Sequence, residues 1–217
     1  MRLFSALWEL LFPYIPKCVV CGTEKNVTDY LCPACVDTMQ SLTAGKTQAA
    51  GLDAISAFDY DGPAARTVQR YKYGGSRYLS AFMAQAMLRA AIEANVPFDC
   101  LCHVPLHPKK RRKRGFDQAA LLADRLAALT GKPHIHAVQR VRNTPSQTKL
   151  TMAQRKANMS GAFEAVQRTS GRVLLIDDVF TTGATAAECA GVLKAAGAAS
   201  VTVLTFARAL DFRQSTE

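Results

Sequence analysis

The stretch Val173-Leu174-Leu175-Ile176-Asp177-Asp178-Val179-Phe180-Thr181-Thr182-Gly183-Ala184-Thr185 decides how this chain is read. Its four leading aliphatic residues form a short buried-strand run, and the two adjacent carboxylates are expected to end it. Small and hydroxylated residues follow as a loop. An alanine-rich segment then predicts a helix from about Thr185 to Ala196, with Gly197 as its stop. A phosphate needs this strand–loop–helix layout: free backbone N–H groups at a helix N-terminus, with Gly183 letting the main chain approach closely. The hydroxyls of Thr181, Thr182 and Thr185 add donors. Asp177 and Asp178 stand at the carboxyl end of a strand, where open α/β sheets bind ligands. Carboxylates beside a phosphate suit hydrogen bonding to sugar hydroxyls or a share in holding a metal ion.

Around this stretch, 217 residues leave room for one α/β domain of ordinary size and a small appendage. The composition, 49% hydrophobic and 20% charged, is that of a soluble globular protein. A net charge of +10 favours an anionic partner without distinguishing a polyphosphate from nucleic acid or a membrane surface. No window approaches the roughly 18 apolar residues of a transmembrane segment. The apolar N-terminus, Met1 to Pro16, has Glu9 inside it, two prolines and no small-residue cleavage site. It reads as a short helix, Leu3 to Leu11, and the cytoplasm is the expected compartment.

The seven cysteines divide into a cluster and a remainder. Cys18, Cys21, Cys32 and Cys35 make two C-x2-C pairs with a spacer of ten residues, long enough to return as a hairpin. Each pair can clamp one side of a tetrahedral zinc ion, and four thiolates leave no open position, so such a zinc is structural. Two disulfides or a redox pair are the other readings of that spacing. A segment this short cannot build a sufficient core, so a metal would contribute folding energy directly. Cys100 and Cys102 share one face of a predicted strand and, like Cys189, read as small buried hydrophobes.

Elsewhere, residues 36–50 read as a polar connection, which places a boundary near 50: a helix and four-cysteine module over 1–50, and the main α/β domain over 51–217. Within the latter, strands are predicted at Ala54–Tyr60, Phe98–Pro105, His134–Val138 and Val201–Ala207. Helices are predicted at Ala64–Tyr73, Leu79–Asn95 and from Gln118 to Thr130. Six consecutive cations, Lys109 to Arg114, read as a loop leaving a strand and entering a helix, either a solvated face or a second anion-binding loop opposite the first. The polar segment from Thr130 to Ser160 reads as a mobile lid or a flexible loop. His134 and His136 alternate in a strand and read as ordinary.

Residues 173–185 resemble the signature of the type I phosphoribosyltransferases, which bind 5-phosphoribosyl 1-pyrophosphate (PRPP). The resemblance implies that Asp177 and Asp178 hold the ribose 2′- and 3′-hydroxyls. It also implies that Thr181, Thr182, Gly183, Ala184 and Thr185 cradle the 5′-phosphate. Other features fall in one order along nearly the whole chain: the four cysteines, Lys72-Tyr73-Gly74, Val104-Pro105-Leu106-His107 and Arg114-Gly115-Phe116-Asp117-Gln118. Thr144, Gln147, Leu150, Arg155, Asn158 and Gly161-Ala162-Phe163 complete the series. Together they are similar to the ComF family (ComFC, GntX-like). That resemblance implies a type I phosphoribosyltransferase fold, an α/β parallel sheet flanked by helices, with a zinc ribbon-type N-terminal module. It implies further that Arg114 and Gly115 meet the pyrophosphate of PRPP and that Mg²⁺ accompanies it. Asp117 stands where the family has Asn, and its carboxylate suits a cap on the following helix. The purine-salvage enzymes carry an acid where Thr181 stands, so that substrate is not indicated. The family association with natural transformation points to DNA uptake, with single-stranded DNA or DNA-uptake proteins as partners. Three functions stay open: phosphoribosyl transfer to an acceptor, a non-catalytic role binding PRPP and single-stranded DNA, or a degenerate phosphoribosyltransferase-like regulator.

Overall fold

A computed structural model describes residues 17–27, 30–142 and 161–209. The helix expected over Leu3–Leu11 and the lid residues Thr144, Gln147, Leu150, Arg155 and Asn158 lie outside them. The expected α/β class and the four-cysteine module are both present. Six strands form the main sheet: β1 (Thr43–Ala49), β2 (Leu52–Asp59), β3 (Cys100–His103), β4 (His134–Ile135), β7 (Arg172–Phe180) and β8 (Ser200–Arg208). Their order is β1-β2-β8-β7-β3-β4, parallel throughout except for the β1–β2 hairpin.

Strand β7 shows why its aliphatic run is unbroken. Val173 and Leu175 enter the core on one face of the sheet, Leu174 and Ile176 the core on the other. A central parallel strand is covered on both sides, so alternation gives way to a continuous apolar stretch. The strand does not stop at the carboxylates as expected. Its β8 partner continues pairing as far as Phe180 opposite Arg208, which carries Asp177 and Asp178 inside the strand. On the other edge, β3 pairs only to Ile176, and the chain leaves at Val104-Pro105.

On one face pack α2 (Gly62–Tyr73), α3 (Leu79–Glu93) and α5 (Gln118–Thr130), bringing Tyr71, Leu79, Met83, Met87, Leu122 and Leu126 into the core. On the other lies α6 (Ala184–Ala195), through Ala186, Cys189, Ala190 and Leu193. Beside it runs a two-stranded ribbon, β5 (Val138–Arg140) with β6 (Phe163–Ala165). The single strand expected at His134–Val138 is therefore two short ones in different sheets. Cys100, Cys102 and Cys189 are buried as expected.

The stretch 36–50 is more ordered than its composition predicts. It supplies most of α1 (Pro33–Ser41) and all of β1, and the turn Ala50-Gly51 takes φ of 54° and 72°. Two left-handed residues make the tight hairpin turn that matches strand twist. Residue 50 thus falls in the turn of a hairpin whose strands share the main sheet. The cysteine module packs on the same core as α2 and α3: Cys18, Val19, Val20 and Leu31 join Phe82, and Arg70 Nη1 donates to the Val19 carbonyl at 2.7 Å.

Candidate functional site

From β3 the chain proceeds through α5 to β4 at the edge of the sheet. From the adjacent β7 it proceeds through α6 to β8, on the opposite side. Neighbouring strands whose connections diverge leave a crevice at their carboxyl ends. A cleft of about 450 Å³ lies there, lined by Asp177, Asp178, Thr181 and Thr185 from β7 and its loop, and by Arg114. Lys72, Tyr73, Lys110, Asp117 and Arg140 are among the other polar residues of its wall. The remaining expected residues, Gly115, Thr182, Gly183 and Ala184, do not line it.

The basic run is a helix, not a loop: α4 (Pro108–Arg114). Proline at its first turn and Gly115 in the left-handed conformation at φ 80° mark its ends. Helical spacing then sorts the six cations. Lys110 and Arg114, four apart, are half-buried and face the cleft, whereas Lys109, Arg111, Arg112 and Lys113 are exposed. Arg114 is held in place: Nη1 donates to Gln118 Oε1 at 2.9 Å, Nη2 to the Tyr73 hydroxyl at 3.3 Å, and its guanidinium lies over the Tyr73 ring. Gly115 contributes its carbonyl to Arg77, which stacks on Phe116.

Asp117 does cap α5, accepting from Ala120 N–H at 3.3 Å, while its other oxygen accepts from Leu106 N–H at 2.8 Å. Both oxygens serve the backbone and fasten the β3 loop to the helix. Burial pushes this carboxyl up from its ordinary value, against those donors.

The acidic doublet has a partner that the motif did not indicate. Lys72 Nζ, from the last turn of α2, lies 2.7 Å from Asp178 Oδ1, with side-chain exposures of 21% and 9%. Burial works to lower the Lys72 ammonium, but the charge of Asp178 outweighs it and the pKa sits above its ordinary value. Asp177 accepts from Asp178 N–H at 2.8 Å. Burial, then repulsion from Asp178, pushes the Asp177 carboxyl up to about 7, with Lys72 in opposition. One carboxylate is charge-balanced, and the other is poised to exchange a proton near neutrality. In the sequence Lys72 stood out only as part of Lys72-Tyr73-Gly74, with nothing to pair it with the doublet.

Gly183 caps α6 at φ 75°, and a Cβ there would stand 2.8 Å from Phe180 Cζ and 3.0 Å from Ala50 Cβ. The missing side chain thus faces protein, so packing as well as backbone conformation requires glycine. Thr182 Oγ1 is buried without a hydrogen-bond partner among the described residues.

Outside the cleft, the sulfur atoms of Cys18, Cys21, Cys32 and Cys35 all lie within 4.8 Å of one another, and Cys21 to Cys32 is 3.6 Å. A tetrahedral site with metal–sulfur bonds of about 2.3 Å sets its sulfurs about 3.8 Å apart, so the set fits. Burial works to raise the Cys18 thiol, but backbone N–H donors from Cys21, Cys32 and Val20 outweigh it and bring the pKa down to about 6. No helix among the described residues is long and apolar enough to cross a membrane.

No protein-family model matches the chain. It is similar to the DNA utilization protein YhgH of Salmonella typhimurium, 31% identical over 206 residues, which are 89% of this chain and 90% of that protein. Competence protein F of Haemophilus influenzae is 28% identical over 91% of this chain and 86% of its own length. Competence protein ComFC of Bacillus subtilis is 28% identical over 93% and 89%. Among solved structures, an allosteric regulatory enzyme of purine biosynthesis matches 63% of this chain with a TM-score of 0.39 at 21% identity, and the match spans 29% of that enzyme's length. Adenine phosphoribosyltransferase of Thermoanaerobacter pseudethanolicus gives 0.38 at 14% identity, over 80% of this chain and 99% of that one. With a relative above 30% identity along most of both lengths, the chain belongs to the ComF family of YhgH, competence protein F and ComFC.

Proposed function

We propose that this protein binds PRPP with Mg²⁺ in the cleft and transfers the phosphoribosyl group to an acceptor, in the cytoplasm and in the service of DNA uptake. One observation carries the reading: Asp177, Asp178, Thr181, Thr185, Lys110 and Arg114 line a single cleft at the diverging strands. Ribose hydroxyls would donate to Asp177 and Asp178. The 5′-phosphate would sit on the Thr181–Thr185 loop at the start of α6, with the threonine hydroxyls as donors. The pyrophosphate would meet Lys110, Arg114 and Arg140, whose charge favours its departure. The oxygen-only donors of the doublet fit a hard cation, so Asp177 would share Mg²⁺ with the substrate, and the ion supplies further neutralisation of the leaving pyrophosphate. The four thiols would hold a structural Zn²⁺ that braces the N-terminal module against α2.

The names of the relatives, DNA utilization and competence proteins, support the link to uptake. The experiment is a thermal shift. PRPP with Mg²⁺ should raise the melting temperature of the wild-type protein but not of an Asp177→Asn/Asp178→Asn variant, and equal shifts in both remove the site assignment.

A second reading, a non-catalytic binder of PRPP and single-stranded DNA, draws on the four exposed cations on the outer side of α4. It requires affinity for single-stranded DNA that falls steeply with salt. Replacing Lys109, Arg111, Arg112 and Lys113 by Gln should then reduce the salt slope by about 2–3. Absence of binding at low salt eliminates it.

A further inference from the structure

At the carboxyl end of β3, on the face covered by α5, three imidazoles converge. The parallel register sets Leu101 opposite His134 and Cys102 opposite Ile135, so His103, His134 and His136 share one face by strand alternation. Their ring centroids are 5.0, 5.3 and 4.4 Å apart, and one nitrogen from each lies within 4.8 Å of the other two. His103 Nδ1 and His134 Nε2 are 2.8 Å apart. His134 turns its other nitrogen, Nδ1, to Asp124 Oδ1 on α5 at 2.7 Å.

We propose that His103, His134 and His136 form a binding site for a divalent transition-metal ion of the Zn²⁺ type. It is separate from the four thiols and outside the cleft.

The chemistry follows from the hydrogen bonds. An ionised carboxylate only accepts, so Asp124 holds the proton of His134 on Nδ1 and leaves Nε2 with a free lone pair directed at His103. A carboxylate behind a histidine, fixing its tautomer and ring orientation, is the usual outer shell of a metal-bound imidazole. In the metal-free state His103 Nδ1–H donates to His134 Nε2. Metal binding requires only that His103 shift to its other tautomer, with the proton on Nε2, so no net proton is released. Three nitrogens at about 2.0–2.1 Å from a tetrahedral ion stand about 3.3 Å apart, and a small opening of the His103–His134 contact reaches that spacing.

Burial, with the two neighbouring rings, pushes the His103 imidazole down to about 3, which keeps it in the neutral form that ligates metals. A hydrogen-bonded chain from His103 through His134 to Asp124 would account for two of the rings. It does not account for His136, which is exposed yet gathered against both. Imidazole donors suit Zn²⁺, Cu²⁺ and Ni²⁺ over Mg²⁺. Three protein ligands leave a fourth position for water or a ligand oxygen, reached beside His136. The site adjoins Val104-Pro105-Leu106, which lines the cleft, so a bound ion would brace that turn against α5.

The test adds Co²⁺ to the full-length protein as purified and records its absorption spectrum. About one equivalent should bind with d–d bands free of thiolate charge transfer, and Zn²⁺ should displace it. His136→Ala, on the surface, should fold normally and lose these bands while its cysteine-bound metal, by elemental analysis, is unchanged. Asp124→Asn should weaken Co²⁺ binding about 10–100-fold. Bands that appear only with thiolate charge transfer, or a Co²⁺ complement that survives His136→Ala, overturn the proposal.

Discussion

Lys72→Met is the most revealing single change, because it removes charge from the site while keeping most of the side-chain volume. At 2.7 Å the attraction between Lys72 and Asp178 has a ceiling of about 6 kcal/mol at an effective dielectric of about 20. Desolvation of both groups offsets much of it in the intact protein, but a variant that keeps Asp178 and loses Lys72 retains the desolvation cost alone. Breaking a buried pair in this way costs about 3–5 kcal/mol. Both side chains are less than a quarter exposed, so solvent screening reduces this little. For a domain of this size the loss corresponds to a melting temperature lower by about 6–20 °C. The Lys72 pKa is raised, so the contribution of the pair is complete at neutral pH and fades only above the ordinary lysine range. The assay is urea and thermal unfolding at pH 7 of Lys72→Met, Asp178→Asn and the double variant. The double variant should recover a large part of the loss, since it leaves neither charge buried alone. Strict additivity, or a single variant within about 0.5 kcal/mol of wild type, refutes the reasoning.

Affinity for PRPP with Mg²⁺ should rise as pH increases through about 7, because ionised Asp177 accepts from ribose hydroxyls more strongly and attracts the cation, and Asp177→Asn should remove that step from a calorimetric pH series. The same raised pKa means that the ligand-free protein binds more protons than its unfolded chain between about pH 4 and 7, so its stability should fall as pH rises across that window. Gly183→Ala should cost about 1–3 kcal/mol in urea unfolding from its left-handed backbone alone, with contact against Phe180 adding to it, and an unaffected midpoint would contradict the packing described.

Much of the site was legible because its parts are adjacent in sequence. Thr181 to Thr185 follow Asp177-Asp178 on a strand whose aliphatic run could only be buried, and loop and helix start are local events governed by residue type; the strand's end was not legible, because pairing with β8 sets it. The paired cysteines were legible for the same reason: two residues between thiols suit a clamp wherever the pair lies. The hairpin strand Thr43–Ala49 was not, since an edge strand with a half-solvated face carries no strong alternation. The six cations were misread as a loop because a run of charges has no apolar period to betray a helix.

What the sequence determined by itself is the order of the chemistry: an apolar strand, two acids, a hydroxylated loop at a helix start, and four thiols in two close pairs. Only the tertiary structure decided which charges meet. Lys72 reaches Asp178 because α2 packs on the sheet face beside β7 and ends at the cleft. Lys110 and Arg114 turn inward while their neighbours turn out, because one helical turn separates them. His103 meets His134 and His136 because parallel strands β3 and β4 lie side by side in register. Lys72 and Asp178, like His103 and His134, are distant in the chain, and whether a charge or an imidazole is solvated, paired or clustered depends on packing that no local pattern records.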